Sequence, residues 1–357
     1  MTQRVARRRW RGARSAAVGS ALALTAGLAL VAGTAGTAAA IPAVGTKATE
    51  GCGDTQVSAA QAAKAAADTV LPTRAAIGSS AEKIAYSLPG QAPIGLWTHS
   101  GVTLRTPVTK GTVRLDVDSR GFDTDSLAVQ RYVPETHRWV DLDTRPSAPG
   151  TPQHGVFTFP VTAAASAAHP DTVALRLQDL DRPGTFTVTA SVQDGKGHTY
   201  RSPARTARAT RPAVSVSGWQ QHTALTRGGP AGDVTVTVKN TTDRAYPALG
   251  ASYFAYGGGV GHALTPKDLV LQQYRSGHGW ERVDLVAGGC DPGMSAALRS
   301  TSKKPLAPGE SAVYRLRVAV ASSAPRDVTS AEAGVAVANG DQTFFSQQLP
   351  FAIKGKK

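Results

Sequence analysis

Four aspartates crowd one short stretch of this 357-residue chain. Asp116, Asp118, Asp123 and Asp125 lie in LDVDSRGFDTD, and carboxylate oxygens gathered in this way are what a calcium ion takes. Asp116, Asp118 and Gly121 stand where a calcium loop would place them. Arg120 occupies the next ligand position, however, and Leu127 replaces the closing glutamate, so the stretch is not an EF-hand. Two readings stay open: a calcium site at the end of a β-sandwich, or a polar turn whose aspartates cap their own backbone. Asp116 and Asp118 alternate with Leu115 and Val117, which suits a strand with one solvent face.

Other chemistry-bearing residues are sparser. His137 and His278 recur in loops of the same form and are candidate ligand contacts, although lone loop histidines are more often solvated. Tyr253, Phe254 and Tyr256 precede Gly257, Gly258 and Gly259. On a strand, Phe254 and Tyr256 would share the core face and Tyr253 would face outward. Tyr253 beside a glycine loop could then stack on a sugar or a peptide. Serine hydrolysis wants Gly-x-Ser-x-Gly at an elbow, and Ser295 in GMSAA and Ser311 in GESAV lack the glycines. The eight histidines show no short metal-binding spacing. No pair of acids is marked out for glycoside hydrolysis. The expectation is therefore a protein without catalytic residues and without a cofactor, calcium aside.

The positioning framework is a repeated hairpin. LAVQRYVPETHRWVDL (127–142) recurs as LVLQQYRSGHGWERVDL (269–285). Each is an apolar run ending in Tyr, a polar loop with His, then Trp and a Val-Asp-Leu step, hence strand, turn and strand. The match extends to either side. GLWTHSGVTLRTPVTKGTVRLDV (95–117) aligns with SGWQQHTALTRGGPAGDVTVTV (217–238). This sets Trp97 against Trp219, His99 against His222, and Val113, Leu115 and Val117 against Val234, Val236 and Val238. Leu175 and Leu177 pair with Leu316 and Val318, and VQDGKGHTY from Val192 with VANGDQTFF from Val337. Asp194-Gly195 and Asn339-Gly340 are hairpin-turn signals. Trp97, Trp139, Trp219 and Trp280 are thus expected at two equivalent positions, filling the space between sheets. In the second copy an apparent insertion of about twenty residues carries an extra strand over 251–256.

Short strands, turn signals and domains of roughly 110 to 145 residues point to antiparallel sandwiches. LAPGESAVYRLRV (306–318) resembles the late-strand pattern of bacterial immunoglobulin-like domains, a Pro-Gly turn before an alternating strand, and HPDTVALRLQ (169–178) matches it in part. The resemblance implies an all-β chain of two tandem antiparallel immunoglobulin-like β-sandwiches. It transfers no catalytic residues, and what it implies about function is binding by fold analogy alone.

The chain ends fit an exported product. Arg4, Arg7, Arg8, Arg9, Arg11 and Arg14 precede an uncharged stretch to Ala38-Ala39-Ala40, the layout of a cleaved signal peptide over 1–40. Its style is similar to exported proteins of high-GC Gram-positive bacteria. Removing it takes six of the 39 basic residues, which leaves a net charge of +8 against the 25 acidic ones. That excess favours weak adhesion to polyanions. No basic stripe with interleaved aromatics marks a nucleic-acid partner. Residues 41–88 read as an Ala/Gly-rich flexible arm with a short helix over 58–70, followed by one sandwich over 89–201, a linker over 202–211 and a second sandwich over 212–354. Cys52 and Cys290 either pair, stapling the arm to the second sandwich, or stand as separate thiols. The expected protein is a secreted, extracellular or wall-associated monomer whose partner is an extracellular protein or a cell-wall polymer, with no membrane contact after cleavage. A carbohydrate-binding accessory module and a secreted enzyme of unrecognised type are the competing readings.

Overall fold

Strict alternation of apolar and polar residues sets the long strands: in Val108–Arg120, Val113, Leu115 and Val117 are buried while Thr112, Arg114 and Asp118 are exposed. The computed structural model describes Pro72 and residues 75–355, apart from 147–149, 289–292, 303–304 and 341. The signal peptide, the 58–70 helix and the Cys52–Cys290 pair lie outside the described residues.

Among the described residues the chain is all-β, with one 3-10 turn at Thr124–Ser126. The first copy comprises β1 (Ile84–Ser87), β2 (Gln91–Pro93), β3 (Thr98–Leu104), β4 (Val108–Arg120), β5 (Leu127–Val133), β6 (Arg138–Asp141), β7 (Thr144–Pro146), β8 (His154–Ala163), β9 (Asp171–Asp179), β10 (Gly184–Gln193), β11 (Thr199–Arg201) and β12 (Arg205–Thr210). The second comprises β13 (Ala213–Ser217), β14 (Ala224–Thr226), β15 (Gly232–Lys239), β16 (Leu249–Tyr256), β17 (Leu269–Arg275), β18 (Gly279–Val283), β19 (Val286–Ala287), β20 (Met294–Ala297), β21 (Ser311–Val320), β22 (Ser330–Asn339), β23 (Gln342–Gln348) and β24 (Phe351–Lys354).

The two copies repeat strand for strand. A five-stranded sheet ordered β1-β3-β9-β5-β6 faces a seven-stranded sheet ordered β2-β12-β10-β4-β8-β7, with β11 also on β10. The second copy gives β13-β15-β21-β17-β18 and β14-β24-β22-β16-β20-β19, with β23 on β22. Even the parallel edge pair recurs, β2 with β12 and β14 with β24, in otherwise antiparallel sheets. Inward residues such as Leu104, Leu175, Val188, Val236, Leu316 and Val335 close the space between the paired sheets.

This topology corrects several expectations. Residues 205–210 are not linker but β12, whose Ala207 and Ala209 are buried against the first core. Small, polar and basic residues disguised an edge-region strand that needs apolar groups on one face only. The first strand, β1, falls within the segment read as arm. The aligned runs are offset by one strand: Val113–Val117 belong to β4, whereas Val234–Val238 belong to β15, the counterpart of β3. Alternation reads alike on any half-buried strand, so it cannot say which strand is which. The apparent insertion over 251–256 is β16, the true counterpart of β4.

The copies dock directly, and their buried apolar residues form one contiguous cluster. The Tyr246 ring is fully buried, meets Phe344 at 5.9 Å, and donates its hydroxyl to the Ile94 carbonyl at 3.0 Å. Asn339 Nδ2 donates to the Gly95 carbonyl at 2.9 Å, and Gln342 Nε2 to the Leu180 carbonyl at 2.8 Å. Gly95 has φ +77°, and a Cβ there would sit 3.6 Å from Asn339, so glycine lets the loop turn at this contact.

Candidate functional site

The two five-stranded sheets each turn a second face outward, and cross-strand register decides what stands on it. In β5 and β6, Tyr132 lies opposite Trp139; in β17 and β18, Tyr274 lies opposite Trp280. Both pairs meet edge-on, with centroids 5.4 and 5.5 Å apart. The predicted equivalence of these two tryptophans therefore holds, but their predicted place does not. All four tryptophans are half-buried; Trp97, Trp139 and Trp280 lie outside the space between the sheets, whereas Trp219 packs against the core at its margin. Two aromatic residues face each other only on the side of the sheet that the inward aliphatic residues leave. Trp97 and Trp219 are not equivalent: Trp97 precedes β3, whereas Trp219 follows β13 and packs against Phe351 at 5.8 Å.

On the first copy this outer face is covered around Arg176 and at the β1 end, although His99 stays exposed. Arg176 of β9 is 3 % exposed, and its guanidinium lies 4.2 Å from the Trp97 ring centre and 4.4 Å from that of Trp139. Its Nε donates to Gln130 Oε1 at 2.7 Å. Arg244 reaches over from the second copy and donates to the Trp97 carbonyl at 2.8 Å. His99 stands 6.3 Å from Trp139, and burial, then Arg244 and Arg176, hold its imidazole below the usual range. The residues before β1 cover the other end of the face. The Ile77 amide bonds Thr103 Oγ1 at 3.2 Å, and Arg105 clasps the Ile77 and Gly78 carbonyls at 2.6 and 3.0 Å.

On the second copy the equivalent face is open. Arg317 lies over Trp280 at 4.0 Å and Arg315 over Tyr274 at 4.7 Å. Register puts Lys239, Thr237, Thr235 and Asp233 of β15 on this same side, opposite Ser311, Val313, Arg315 and Arg317. Arg282 of β18 stands opposite Gln272, which in turn stands opposite Arg317. Lys239, Arg282 and Arg315 are exposed, and Val313 is 40 % exposed. Asp233 is the acid of the group, accepting from Arg317 Nε at 2.9 Å. The sequence separates these cations, and the sheet assembles them. The one signal was the spacing of Arg315 and Arg317, two apart on the polar side of YRLRV.

The residues singled out from sequence fall elsewhere or singly. Tyr253 is 1 % exposed, whereas Tyr256 is 41 % exposed, so the predicted faces are reversed. The β16 register explains it: Tyr253 lies opposite Val335, which faces the core. Burial raises the Tyr253 hydroxyl well above the tyrosine range. Gly257, Gly258 and Gly259 form one side of a small hairpin, closed by Leu264 N on Gly257 O at 2.7 Å and Gly259 N on His262 O at 2.7 Å. Asp327 braces it, accepting from the Gly261 amide at 3.1 Å and contacting His262 Nδ1 at 3.0 Å. These bonds hold the Asp327 carboxyl below its usual range. His137 and His278 sit in equivalent turns beside the aromatic pairs; His137 Nδ1 is 3.1 Å from the Tyr132 hydroxyl, and His278 Nδ1 is 3.8 Å from Glu281.

The four aspartates do not converge. Asp116 is chelated by Arg114, 2.6 Å away; Asp118 contacts His154; Asp123 precedes the 3-10 turn that contains Asp125. Among the described residues no group of three His, Cys, Asp or Glu side chains is placed to hold a metal ion. Asn240 of the Asn-Thr-Thr motif is fully buried, its Nδ2 donating to the Arg244 and Leu306 carbonyls. A shallow cleft of about 370 Å³ lies between β5, β8 and β9, lined by Arg131, Glu135, Pro160 and Asp171 among others.

Neither a protein-family model nor a curated protein matches this chain. Among solved structures, the C-terminal domain of the Streptococcus pyogenes antigen I/II-family protein AspA is similar at 12 % identity and a TM-score of 0.39, over 76 % of this chain and 99 % of that one. The Streptococcus agalactiae antigen I/II polypeptide BspA C-terminal domain gives 12 % and 0.32, over 74 % and 95 %. AvmM, which catalyses macrocyclization in alchivemycin A biosynthesis, gives 16 % and 0.32, over 41 % and 90 %. Similarity this low leaves the functional reading to the geometry.

Proposed function

We propose that this chain is an exported, non-catalytic binding protein of two immunoglobulin-like sandwiches, released by cleavage after residue 40 and working as a monomer outside the cell. One observation supports it above the rest. The second copy presents a flat cationic and aromatic sheet face, Lys239, Arg282, Arg315 and Arg317 with Tyr274 and Trp280, that its twin keeps covered. Flat exposed faces suit contact with large partners, whereas small substrates are held in concave pockets. The histidine–aspartate contacts, His154–Asp118, His198–Asp194 and His262–Asp327, are dispersed over separate loops and strands. Each keeps its histidine well exposed, as expected of pairs that fix surface loops.

Co-sedimentation of the full chain with the envelope fraction of the producing organism tests the reading. Saturable retention at physiological salt is expected. No retention, or turnover of an envelope polymer by the purified chain, would sink it.

A further inference from the structure

We propose that the outer face of the β13-β15-β21-β17-β18 sheet binds a carboxylate-bearing polysaccharide laid across its strands. The proposal deepens the binding function above and rests on it. The first support is charge. Lys239, Arg282, Arg315 and Arg317 share the face with one acid, Asp233. A carboxylated chain complements that excess. The second is preorganisation. Arg315 and Arg317 lie on the Tyr274 and Trp280 rings at 4.7 and 4.0 Å, so their planar groups are already ordered before a ligand arrives. Ordered guanidinium groups bind carboxylate through paired N–H donors with less entropy loss than free side chains.

The third is the accompaniment. Ser215 and Ser217 of β13 pair with Thr237 and Thr235, so a row of hydroxyls lies beside the cations on the same side. Hydroxyls beside cations match a sugar carrying both alcohol and acid groups. The fourth is shape: an extended polymer can cross an open sheet face, whereas a small anion would want enclosure. Single-stranded nucleic acid is the other polyanion to weigh. It binds by stacking bases on bare aromatic faces, and here guanidinium groups occupy the ring faces. The first copy is a built-in control, because its corresponding Arg176 is sealed between Trp97 and Trp139.

The test titrates the mature chain, residues 41–357, with soluble polygalacturonate at about 0.15 M salt, where diffuse surface attraction is largely screened. Neutral dextran and a single-stranded oligonucleotide of matched charge run in parallel. The expected result is saturable binding of polygalacturonate alone, weakened about tenfold by the paired changes R315Q and R317Q. R282Q, whose side chain is exposed, weakens it about threefold without disturbing a stacked pair. The charge-matched changes R205Q and R208Q, on exposed residues of β12, leave it unchanged. Absence of binding by the unaltered chain, equal loss in the β12 control, no loss in R282Q, or equally tight oligonucleotide binding overturns the proposal. If any of these occurs while envelope retention persists, the ligand class is wrong and the binding function stands; if retention also fails, both fall.

Discussion

The two outer faces are built from one plan and put to different use. Each has a Tyr–Trp cross-strand pair and an arginine on the indole. In the first copy, Trp97 adds a second ring to the stack, Arg244 binds the Trp97 carbonyl, and residues 77–82 settle near β1 and β3. The second copy begins directly from β12, with two residues between β12 and β13. A duplicated module thus keeps its core while the segments at its margins decide which face meets solvent. The lesson is that the two hairpin tryptophans, Trp139 and Trp280, mark the sheet's outer side, where covering is optional, and not the interior, where it is obligatory.

The sharpest way to break the comparison is to remove the same ring from each copy. Trp139→Ala strips one wall from a guanidinium that is 3 % exposed, leaving a buried charge poorly compensated. A loss on the order of 2–4 kcal/mol in urea unfolding is expected. Trp280→Ala bares a surface arginine that water can solvate, and the expected loss is about 1 kcal/mol or less. Equal losses would mean that the first face is not closed in any energetic sense.

A second contrast sits at the ends of β9 and β21. Asp179 lies opposite Leu127 where the second copy sets Val320 opposite Leu269. Its Oδ1 accepts from the Asp181 amide at 2.9 Å, while Oδ2 is buried without a partner. Burial chiefly, with the nearby Asp181 charge adding and the Asp181 amide and Arg182 opposing, pushes the Asp179 carboxyl up to about 7. The folded state therefore holds the proton more tightly than the unfolded chain, whose aspartate titrates near its ordinary value of 3.8. The destabilisation is fully present above pH 7 and is relieved as pH falls from 7 towards 4. Asp179→Asn keeps the Asp181 bond and should add about 1–2 kcal/mol at pH 8. The gain should shrink towards zero near pH 4, as followed by thermal unfolding across that range. A pH-independent gain would assign the effect to packing instead.

The duplication was legible because the β5–β6 and β17–β18 hairpins carry unusual residues in a fixed order, Tyr, His, Trp, Val-Asp-Leu. The strand count was less so. β4 and β15 both alternate, and the alignment slipped by one strand because period two carries no identity. The same slip turned β16 into an insertion, while Tyr253 was assigned outward because neither of its neighbours on the strand marks the core face by type alone. The cationic face was hidden for a different reason. Arg282 and Arg317 become neighbours only through Gln272 on the strand between them, a relation that register creates and sequence distance conceals.

The docking of the copies yields a smaller effect. Tyr246 is wholly buried between them, and its hydroxyl bond to Ile94 is one of the few polar ties across the contact. Tyr246→Phe keeps the ring against Phe344 and leaves the Ile94 carbonyl short of a donor. About 1 kcal/mol should be lost, read as a lower urea midpoint with an unchanged slope. A changed slope would show the copies separating before they unfold.

The smallest expected effect concerns the cover itself. Arg244 belongs to the second copy yet acts on the first, donating to the Trp97 carbonyl and helping, after burial, to hold His99 below the usual histidine range. A histidine so depressed binds fewer protons in the folded chain than in the unfolded one, so its stabilising contribution is lost as pH falls through the unfolded value of 6.5 towards the folded one. Arg244→Ala removes a positive neighbour and opens the margin of the cluster to water, and both changes favour the charged ring. The His99 ring-proton titration should therefore move upward. An unmoved His99 would mean that burial alone sets its titration and that the second copy closes the first face by contact without acting on its charge.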